Sequence, residues 1–306
     1  MKILSLFDGM SCGYLALKNL GVEVAYYASE IDKYAISISK KNHKDIIHLG
    51  DILDWESWKL PKIDMIIGGS PCQGFSNAGK GLNFEDERSR LFFTFVDILE
   101  KYKPKFFIFE NVKMKKEWEN IISEYLGITP VLINSSLVSA QNRERLYWVG
   151  ELGEDGEYKK INIPIPEDRD IFLQDILEKN INQKYYKNFD NIIIDRSEDF
   201  FKIKNATKKG YILAYDGDGV DLSFPNSSTK RGRVKKGKSG TLTTYPFQGV
   251  IDRDRIRQLT PIEYERLQTL PDNYTEGVSD NQRYKMIGNA WTVEVIMHII
   301  SIIGKK

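Results

Sequence analysis

The chain is poor in the residues that bind metals or form cross-links. Its 306 residues include two cysteines, Cys12 and Cys72, and three histidines. Two thiols are too few for a disulfide framework, and so small a set of sulfur and nitrogen donors does not favour a structural zinc site. We therefore expect a protein of a reducing compartment that binds no metal.

Long hydrophobic runs are also lacking. No apolar run approaches the roughly 18 residues that a membrane span requires, and a composition of 41% hydrophobic and 28% charged residues argues against disorder. The first eight residues predict a strand rather than a cleavable signal. We expect a cytoplasmic protein with no membrane association, long enough for one large domain or for one large and one small domain.

The formal net charge is only +1, but the charge is unevenly distributed. Residues 202–238 contain ten Lys or Arg against three Asp, a local net charge of +7. Within them, residues 229–238 include Lys230, Arg231, Arg233 and Lys235 and no acid. Such a run is either a solvated loop or a surface for a polyanion, and composition alone leaves both open.

The first half of the chain alternates short β-rich runs with amphipathic helical patterns, which predicts an α/β domain with a mostly parallel sheet. The predicted strands are 3–7, 24–28, 63–67, 106–109, 131–137 and 146–149, and the predicted helices are 13–20, 33–41, 90–102 and 117–126. From about residue 150 to 250 the sequence is rich in Asn, Lys and Asp, which predicts a second, less regular domain. Ligands of open parallel sheets bind at the carboxyl ends of the strands.

Three strand ends carry residues suited to an adenosyl ligand. The turn Phe7-Asp8-Gly9-Met10-Ser11-Cys12-Gly13 lacks the Gly-x-Gly-x-x-Gly pattern of dinucleotide sites, which favours a smaller ligand. Glu30 follows the second strand, where a carboxylate binds ribose hydroxyls, and Asp51 follows a third, where it can accept a hydrogen bond from an adenine amino group. Either acid alone could cap a helix. The three together indicate one cofactor pocket.

Cys72 follows an apolar strand that ends in Gly68 and Gly69, and Pro71 fixes the backbone before it. Backbone amides at such a turn favour the thiolate, which is a strong nucleophile. The alternative is that Cys72 is a small buried apolar residue. The polar segment Gln73 to Ser76 is poor composition for a core, so we favour the nucleophile.

The segment Gly69-Ser70-Pro71-Cys72-Gln73-Gly74-Phe75-Ser76 resembles the Pro-Cys loop of the C5-cytosine DNA methyltransferases. The resemblance implies a Rossmann-like, S-adenosylmethionine-dependent methyltransferase fold with a smaller target-recognition domain. It also implies that Cys72 adds to C6 of a flipped-out cytosine while S-adenosylmethionine gives its methyl group to C5, leaving S-adenosylhomocysteine.

Further motifs follow in the order of that family. Glu110-Asn111-Val112 is similar to the motif whose acid binds N3 and the exocyclic amine of cytosine, and a carboxylate at the end of a buried strand is costly unless it is paired or functional. Arg143 and Arg145 match the Gln-x-Arg-x-Arg motif, whose arginines support the active site and contact the target base. Their alternation predicts that both project to one side, although such a pair could also be salt-bridged surface.

The remaining site residues follow from these motifs and from the basic run. The predicted cofactor-binding residues are Phe7, Asp8, Gly9, Met10, Gly13, Glu30, Ile31, Asp51, Ile52, Pro71, Leu91, Asn289 and Ala290. The predicted DNA-binding residues are Gln73, Ser76, Lys230, Arg231, Arg233, Lys235 and Thr241. One departure from the family is the first turn, where Asp8 and Ser11-Cys12 replace the commoner small residues and paired glycine, a variant similar to that of the animal de novo methyltransferases.

We expect a catalytic and cofactor-binding domain at 1–150 with 272–306 folding back onto it, a target-recognition domain at 151–256, and a connecting helix at 257–271. The expected partner is duplex DNA, bound by a monomer, and the resemblance leaves a cognate restriction endonuclease open. A tRNA methyltransferase would share the catalytic residues, but the long basic insertion favours DNA. A catalytically silent regulator is disfavoured by the joint presence of Cys72, Glu110 and the arginine pair, and an oxidoreductase by the lack of a nicotinamide-type glycine loop.

Overall fold

The computed structural model describes residues 1–71 and 87–305, and the chain divides into two compact units. The first unit comprises Met1–Ile133, Glu144–Pro166 and Val295–Lys306, and the second comprises Asn134–Arg143 and Glu167–Glu294. These limits differ from the sequence-based ones, because residues 272–294 belong to the second unit and 151–166 belong to the first.

The first half of the chain supplies the elements of a large sheet and its helices. The strands are β1 (Lys2–Leu6), β2 (Ala25–Ser29), β3 (Ile47–Gly50), β4 (Met65–Gly68), β5 (Phe106–Val112), β6 (Val131–Asn134), β7 (Glu144–Leu152) and β8 (Tyr158–Lys160). The helices are α1 (Cys12–Asn19), α2 (Lys33–Asn42), α3 (Glu87–Tyr102) and α4 (Lys116–Leu126). Most predicted elements are present, with ends shifted by a few residues.

The strand order is β3-β2-β1-β4-β5-β7-β6, with β8 beside β7. Strands β1 to β5 pair in parallel, whereas β7 is antiparallel to both β5 and β8. Fully buried side chains of the strands and of α3 and α4 form one apolar core, which includes Ile66, Phe95, Phe107, Ile122 and Trp148. The predicted α/β fold with a mostly parallel sheet is confirmed.

One row of residues crosses five parallel strands near their carboxyl ends. In β1 Leu6 pairs with Ser29 of β2 and with Gly68 of β4. The row continues outward from Ser29 to Gly50 and from Gly68 to Phe109. Since neighbouring strands lie about 4.8 Å apart, the row extends about 20 Å along the sheet edge.

The predicted strand 131–137 is too long. Strand β6 ends at Asn134, whose side-chain oxygen accepts a hydrogen bond from the backbone N–H of Ser136 at 3.0 Å. This local bond starts a 3-10 helix at Ser135–Leu137 instead of a further ladder pair.

The rest of the chain forms short strands and a few helices. The elements are α5 (Leu173–Ile176), β9 (Ile193–Arg196), β10 (Phe201–Lys204), β11 (Tyr211–Ala214), β12 (Gly219–Asp221), β13 (Val234–Lys235), β14 (Gln248–Asp252), β15 (Arg255–Gln258), α6 (Pro261–Leu267), α7 (Asp280–Asn289) and α8 (Val293–Ile303). Strands β9 to β11 form one antiparallel sheet and β12 to β15 another. Apolar residues of both sheets, among them Ile203, Val220 and Ile251, share one core.

Helix α6 begins with a capping box. The Thr260 hydroxyl accepts from the backbone N–H of Glu263 at 3.1 Å, and the Glu263 carboxylate accepts from the backbone N–H of Thr260 at 2.8 Å. Further on, Asp280–Ile303 is long and apolar enough to cross a membrane by length and composition. It is mostly buried and is broken into α7 and α8, which is typical of core helices.

Candidate active site

Five predicted or motif residues lie directly after the row that crosses the parallel strands. Phe7, Glu30, Asp51, Gly69 and Glu110 each follow one of its members. The register therefore brings the cofactor motifs and the predicted base-binding acid to one edge of the sheet, where ligands of such sheets bind.

The turn after β1 has an unusual backbone. Phe7, Gly9 and Ser11 all lie in the left-handed region, with φ of 58°, 60° and 66°. For Phe7 and Ser11 this conformation is uncommon and costs free energy. The backbone N–H of Asp8 donates to the carbonyl of Ser29 at 3.0 Å, which fixes the turn to the end of β2.

The Asp8 carboxylate stabilises this turn from within. It accepts hydrogen bonds from the hydroxyls of Ser5 at 2.6 Å, Ser11 at 2.5 Å and Tyr26 at 2.8 Å. The Ser11 hydroxyl also lies 2.6 Å from that of Ser39. Burial raises the pKa of Asp8 to about 6, partly opposed by these hydroxyl donors. The carboxylate thus positions the turn, and Asp8 and Ser11, which together depart from the family pattern, are bonded to each other.

Glu30 connects the turn to the end of β2. Its Oε2 accepts from the backbone N–H of Gly9 at 2.7 Å, and its Oε1 accepts from those of Ile31 and Asp32, both at 2.8 Å. Asp32, not Glu30, caps α2. The Ile31 side chain beside this fixed carboxylate is 71% exposed.

Asp51 does cap a helix, as the alternative reading allowed. Its Oδ1 accepts from the backbone N–H of Leu53 at 2.9 Å at the start of the 3-10 helix Ile52–Ser57. Ile52 is buried in the core. Of the other predicted cofactor residues in the first unit, Met10 and Gly13 are buried, Leu91 is half-buried in α3, and Pro71 is exposed. In the second unit, Asn289 is exposed at the end of α7 and Ala290 is buried.

Glu110 and Arg145 form an ion pair. Arg145 Nε lies 2.9 Å from Glu110 Oε1, and both side chains are largely buried. In the antiparallel ladder Glu110 lies opposite Tyr147 and Arg145 opposite Val112, so the two are diagonal neighbours on one face. The cross-strand register therefore explains how Arg145 holds the carboxylate.

The glycine pair before Cys72 permits two close approaches of the backbone. A Cβ at Gly68 would lie 2.7 Å from the carbonyl oxygen of Leu6, and one at Gly69 would lie 2.6 Å from Glu110 Oε2. The segment that leads to the thiol thus begins against the Glu110 carboxylate. The buried Ser70 hydroxyl next to it has no hydrogen-bond partner among the described residues. Cys72 lies outside the described residues, as do the predicted DNA contacts Gln73 and Ser76.

Arg143 does not share the environment of Arg145. Its buried guanidinium donates to the carbonyl oxygens of Leu242 at 3.1 Å, Gly288 at 3.2 Å and Ala290 at 3.0 Å. The expectation that both arginines project to one side is wrong, because Arg143 precedes β7, where the alternation of a strand does not apply. Its bonds connect segments of the second unit.

Neighbours of Arg143 have the same structural role. Gln141 donates to the carbonyl of Leu267 at 3.1 Å and accepts from the backbone N–H of Leu242 at 3.0 Å. The hydroxyl of Thr241, a predicted DNA contact, donates to the carbonyl of Asn142 at 2.7 Å. These bonds explain why residues 134–143 belong to the second unit.

Arg233 is a buried structural residue rather than a surface cation. Its guanidinium is 1% exposed and donates to the carbonyl oxygens of Lys204, Asp221, Ser223 and Phe224 at 2.7–3.1 Å. Burial lowers the pKa of Arg233. With four donors occupied inside the protein, its predicted contact with a DNA phosphate is withdrawn.

The other basic residues divide into two groups. Lys230 pairs with Asp221 at 2.5 Å, and Lys236 pairs with Asp218 at 2.7 Å. Arg231 is exposed and Lys235 is half-buried, and neither side chain has a hydrogen-bond or ion-pair partner in the part of the chain that the structure describes. Lys238 donates to the carbonyl oxygens of Ser136 and Ile171. Four of the six basic side chains of residues 229–238 are therefore bonded inside the protein, and Arg231 and Lys235 remain as candidates for phosphate contact.

Among residues 1–71 and 87–305 no group of three or more His, Cys, Asp or Glu side chains is arranged to hold a metal ion. The arrangement at the sheet edge instead offers hydrogen-bonding carboxylates and an arginine-held glutamate beside the segment that leads to a cysteine.

Comparison with known proteins identifies the family of the chain. A family model for C-5 cytosine-specific DNA methylases matches residues 1–305. The type II methyltransferase M.HpaII of Haemophilus parainfluenzae is 32% identical over 96% of this chain and 86% of its own length, and the orphan methyltransferase M.SPRI of Bacillus phage SPR is 28% identical over 98% and 96%. The crystal structure of a putative DNA modification methyltransferase from an Escherichia coli prophage shares the fold, with a TM-score of 0.68 at 21% identity over 100% of this chain and 99% of that one. The chain therefore belongs to the C-5 cytosine-specific DNA methylase family and is a DNA cytosine-5 methyltransferase.

Proposed function

We propose that the enzyme transfers a methyl group from S-adenosylmethionine to C5 of a cytosine flipped out of a specific duplex sequence, through a covalent bond between Cys72 and C6. The position of Glu110 supports this mechanism. Its carboxylate is held by Arg145 and lies against Gly69, three residues before the thiol. The proposed base-binding acid therefore lies beside the start of the segment that leads to the proposed nucleophile.

The chemistry needs an extruded base. A cytosine stacked in a duplex cannot present C6 to a thiolate, and extrusion costs a few kcal/mol. The Cys72 thiolate attacks C6 while Glu110 holds N3 and the exocyclic amine, which limits the negative charge that develops on the ring. C5 then takes the methyl group and loses its proton to solvent water, and the electron pair of that C–H bond re-forms the C5–C6 double bond and expels Cys72 as the thiolate. Arg145 orients Glu110 in this scheme, and the role of Arg143 is confined to positioning.

The sheet edge fits an adenosyl cofactor. Glu30 would bind the ribose hydroxyls, since backbone N–H groups already fix its carboxylate, and the exposed Ile31 beside it provides an apolar surface for a flat ring. Asp51 would accept from the adenine amino group, and the turn from Phe7 to Gly13 would hold the methionine end. When bound, S-adenosylmethionine supplies a methyl group activated by a sulfonium. Asn289 and Ala290 remain proposed cofactor-binding residues.

We further propose a cytoplasmic monomer acting on duplex DNA. Relatives include both type II and orphan methyltransferases by name. A neighbouring gene for a restriction endonuclease that 5-methylcytosine blocks at the same sequence would place this enzyme with the type II relatives, and its absence would place it with the orphan phage relative.

Product analysis tests the proposed function. The purified enzyme is incubated with methyl-labelled S-adenosylmethionine and either plasmid DNA or tRNA, and the nucleic acid is digested to nucleosides for mass spectrometry. We expect label in 5-methyldeoxycytidine from DNA and none in tRNA, and we expect Cys72→Ala to reduce it to background because the nucleophile is lost. Label in tRNA alone, or on a cytosine nitrogen, would contradict the proposal.

A further inference from the structure

Two exposed aromatic side chains and one half-buried aromatic side chain form a cluster in the second unit. Phe224 is 70% exposed and Tyr245 is 65% exposed. The ring of Phe247 lies between them, stacked on Tyr245 with a centroid separation of 5.5 Å and an interplanar angle of 24°, and 6.0 Å from the ring of Phe224. We call these three residues the aromatic platform.

The backbone under Phe224 is strained and firmly held. Phe224 has a φ of 46°, a conformation that bulky residues rarely adopt. The buried Arg233 guanidinium donates to the carbonyl oxygens of Ser223 at 2.8 Å and Phe224 at 3.1 Å. A buried arginine therefore fixes a strained turn that leaves a large ring in water. Such strain typically accompanies function.

The other half of the platform is also fixed by hydrogen bonds. The carbonyl of Tyr245 accepts from the backbone N–H of Phe247 at 2.8 Å and from the hydroxyl of Thr243 at 3.0 Å. The carbonyl of Phe247 accepts from the backbone N–H of Leu222 at 2.8 Å. Since both chain segments are held, little ordering entropy remains to be lost when a ligand binds the rings.

Positive charge lies beside the platform. Lys230 Nζ, which is paired with Asp221, is 5.6 Å from the centre of the Phe224 ring, and the exposed Arg231, which follows it in the sequence, remains available to contact a phosphate. Aromatic rings beside basic side chains are the composition of surfaces on which nucleobases stack while cations contact the backbone. A nucleotide matches this surface, because its base has a flat face that can stack on the rings and its phosphate is an anion that can contact the basic side chain.

We propose that the aromatic platform stacks on the face of a nucleobase that becomes unstacked in the target duplex, and that it thereby helps to determine which sequences are methylated. This inference rests on the proposed flipping of cytosine from duplex DNA. In a continuous stack no base face is free, so the platform binds only where a step is opened. The free energy of opening depends on the sequence, which makes the contact selective. The unstacked base is either the partner of the flipped cytosine or a base at a kinked flanking step.

The test uses the full-length enzyme and the sequence at which it methylates DNA. Phe224→Ala and Tyr245→Ala should each weaken binding of that duplex about tenfold or more, since stacking on one base has an effect of that order. Both variants should also methylate near-cognate sequences at a higher relative rate. Tyr245→Phe should behave as the wild type, because it keeps the ring.

Tyr215→Ala is the matched control. Tyr215 is an exposed aromatic residue of the same unit, with Lys236 Nζ 4.3 Å from its ring centre, but it lies outside the platform. It should leave binding and sequence preference unchanged. S-adenosylmethionine affinity, measured by calorimetry, should be the same in all these variants and confirms that they are folded.

A fluorescent base distinguishes the two sources of the unstacked face. 2-Aminopurine is placed either opposite the target cytosine or at a flanking step, and its quenching by the wild type should be lost with Phe224→Ala at one of these positions. Wild-type binding and sequence preference in both alanine variants would overturn the inference, as would a change in oligomeric state without a change in DNA binding. A wild-type enzyme that forms no 5-methylcytosine would instead overturn the proposed function.

Discussion

Single residues determine the shape of the turn that follows β1, from Phe7 to Gly13. Asp8 was predicted as a cofactor residue from its place in the motif. Its carboxylate instead accepts hydrogen bonds from hydroxyl groups of the protein itself, including that of Tyr26. The sequence predicted Asp8 as part of a cofactor-binding turn, but it gave no sign that a tyrosine of the next strand would bond to this acid. Glu110 is similar, since the acid was predictable and its pairing with Arg145 required the antiparallel register.

Asp8→Asn should change how stability depends on pH. The pKa of Asp8 is raised from 3.8 to about 6 in the folded protein, so between these values the unfolded chain loses this proton first. The contribution of Asp8 is present below about pH 4 and is lost as the pH rises to about 6, a change of at most about 3 kcal/mol. The free energy of unfolding of the asparagine variant minus that of the wild type should therefore be more positive at pH 7 than at pH 4. Denaturant unfolding at the two pH values measures this.

The wild type alone cannot show this effect, because the titration of His43 changes stability with pH in the opposite direction to that of Asp8. Burial lowers the pKa of His43 to about 4, so its contribution to stability is lost as the pH falls from 6.5 to 4. The two effects overlap in the wild type and partly cancel. A stability difference between Asp8→Asn and the wild type that stays constant with pH would contradict the proposed burial of the Asp8 charge.

At the scale of elements, short segments were predicted less well than the parallel strands. The second unit contains antiparallel strands of two to five residues, which are too short to show a clear alternation. In the basic segment, composition identified a cluster of positive charge but not its use. Arg233 and Arg231 are the same residue type. Only the folded structure shows that Arg233 donates to backbone carbonyl groups and that Arg231 is exposed.

Replacing both Arg231 and Lys235 by Gln should weaken DNA binding and flatten its salt dependence. Each lost phosphate contact removes about 0.9 from the slope of log affinity against log salt concentration, so the double variant should lose about 1.8. S-adenosylmethionine affinity should not change. Fluorescence anisotropy across a salt series measures the slope.

Arg233→Gln provides the contrasting variant. It leaves several backbone carbonyl oxygens without donors, and it should lower the melting temperature because such groups are costly to leave unpaired.

The methylated sequence should stay the same in the Arg231 and Lys235 double variant, since phosphate contacts position a protein but do not specify bases. An unchanged salt slope in the double variant would show that this run lies away from DNA.

At the scale of the whole molecule, the sequence predicted which motifs meet at one edge of the sheet. Glu30, Gly69 and Glu110 each follow residues of parallel strands, so they were expected at one sheet edge before their register was known. The division of the chain was harder to predict. Residues 134–143 belong to the second unit through bonds from Gln141 and Arg143 to backbone carbonyls, and bonds to carbonyls leave no signature in the types of their partners.

The central claim is that Cys72 bonds to C6 of a flipped cytosine. Its most direct test is a duplex with 5-fluorocytosine at the target position, incubated with the enzyme and S-adenosylmethionine. Fluorine at C5 cannot leave as a proton, so the C6–S bond should persist. We predict a complex that survives denaturation, with one methylated DNA strand per protein attached at Cys72 by peptide mass spectrometry, and none with Cys72→Ser. Formation of 5-methylcytosine on ordinary DNA without any trapped complex, or attachment at another residue such as Cys12, would contradict the mechanism.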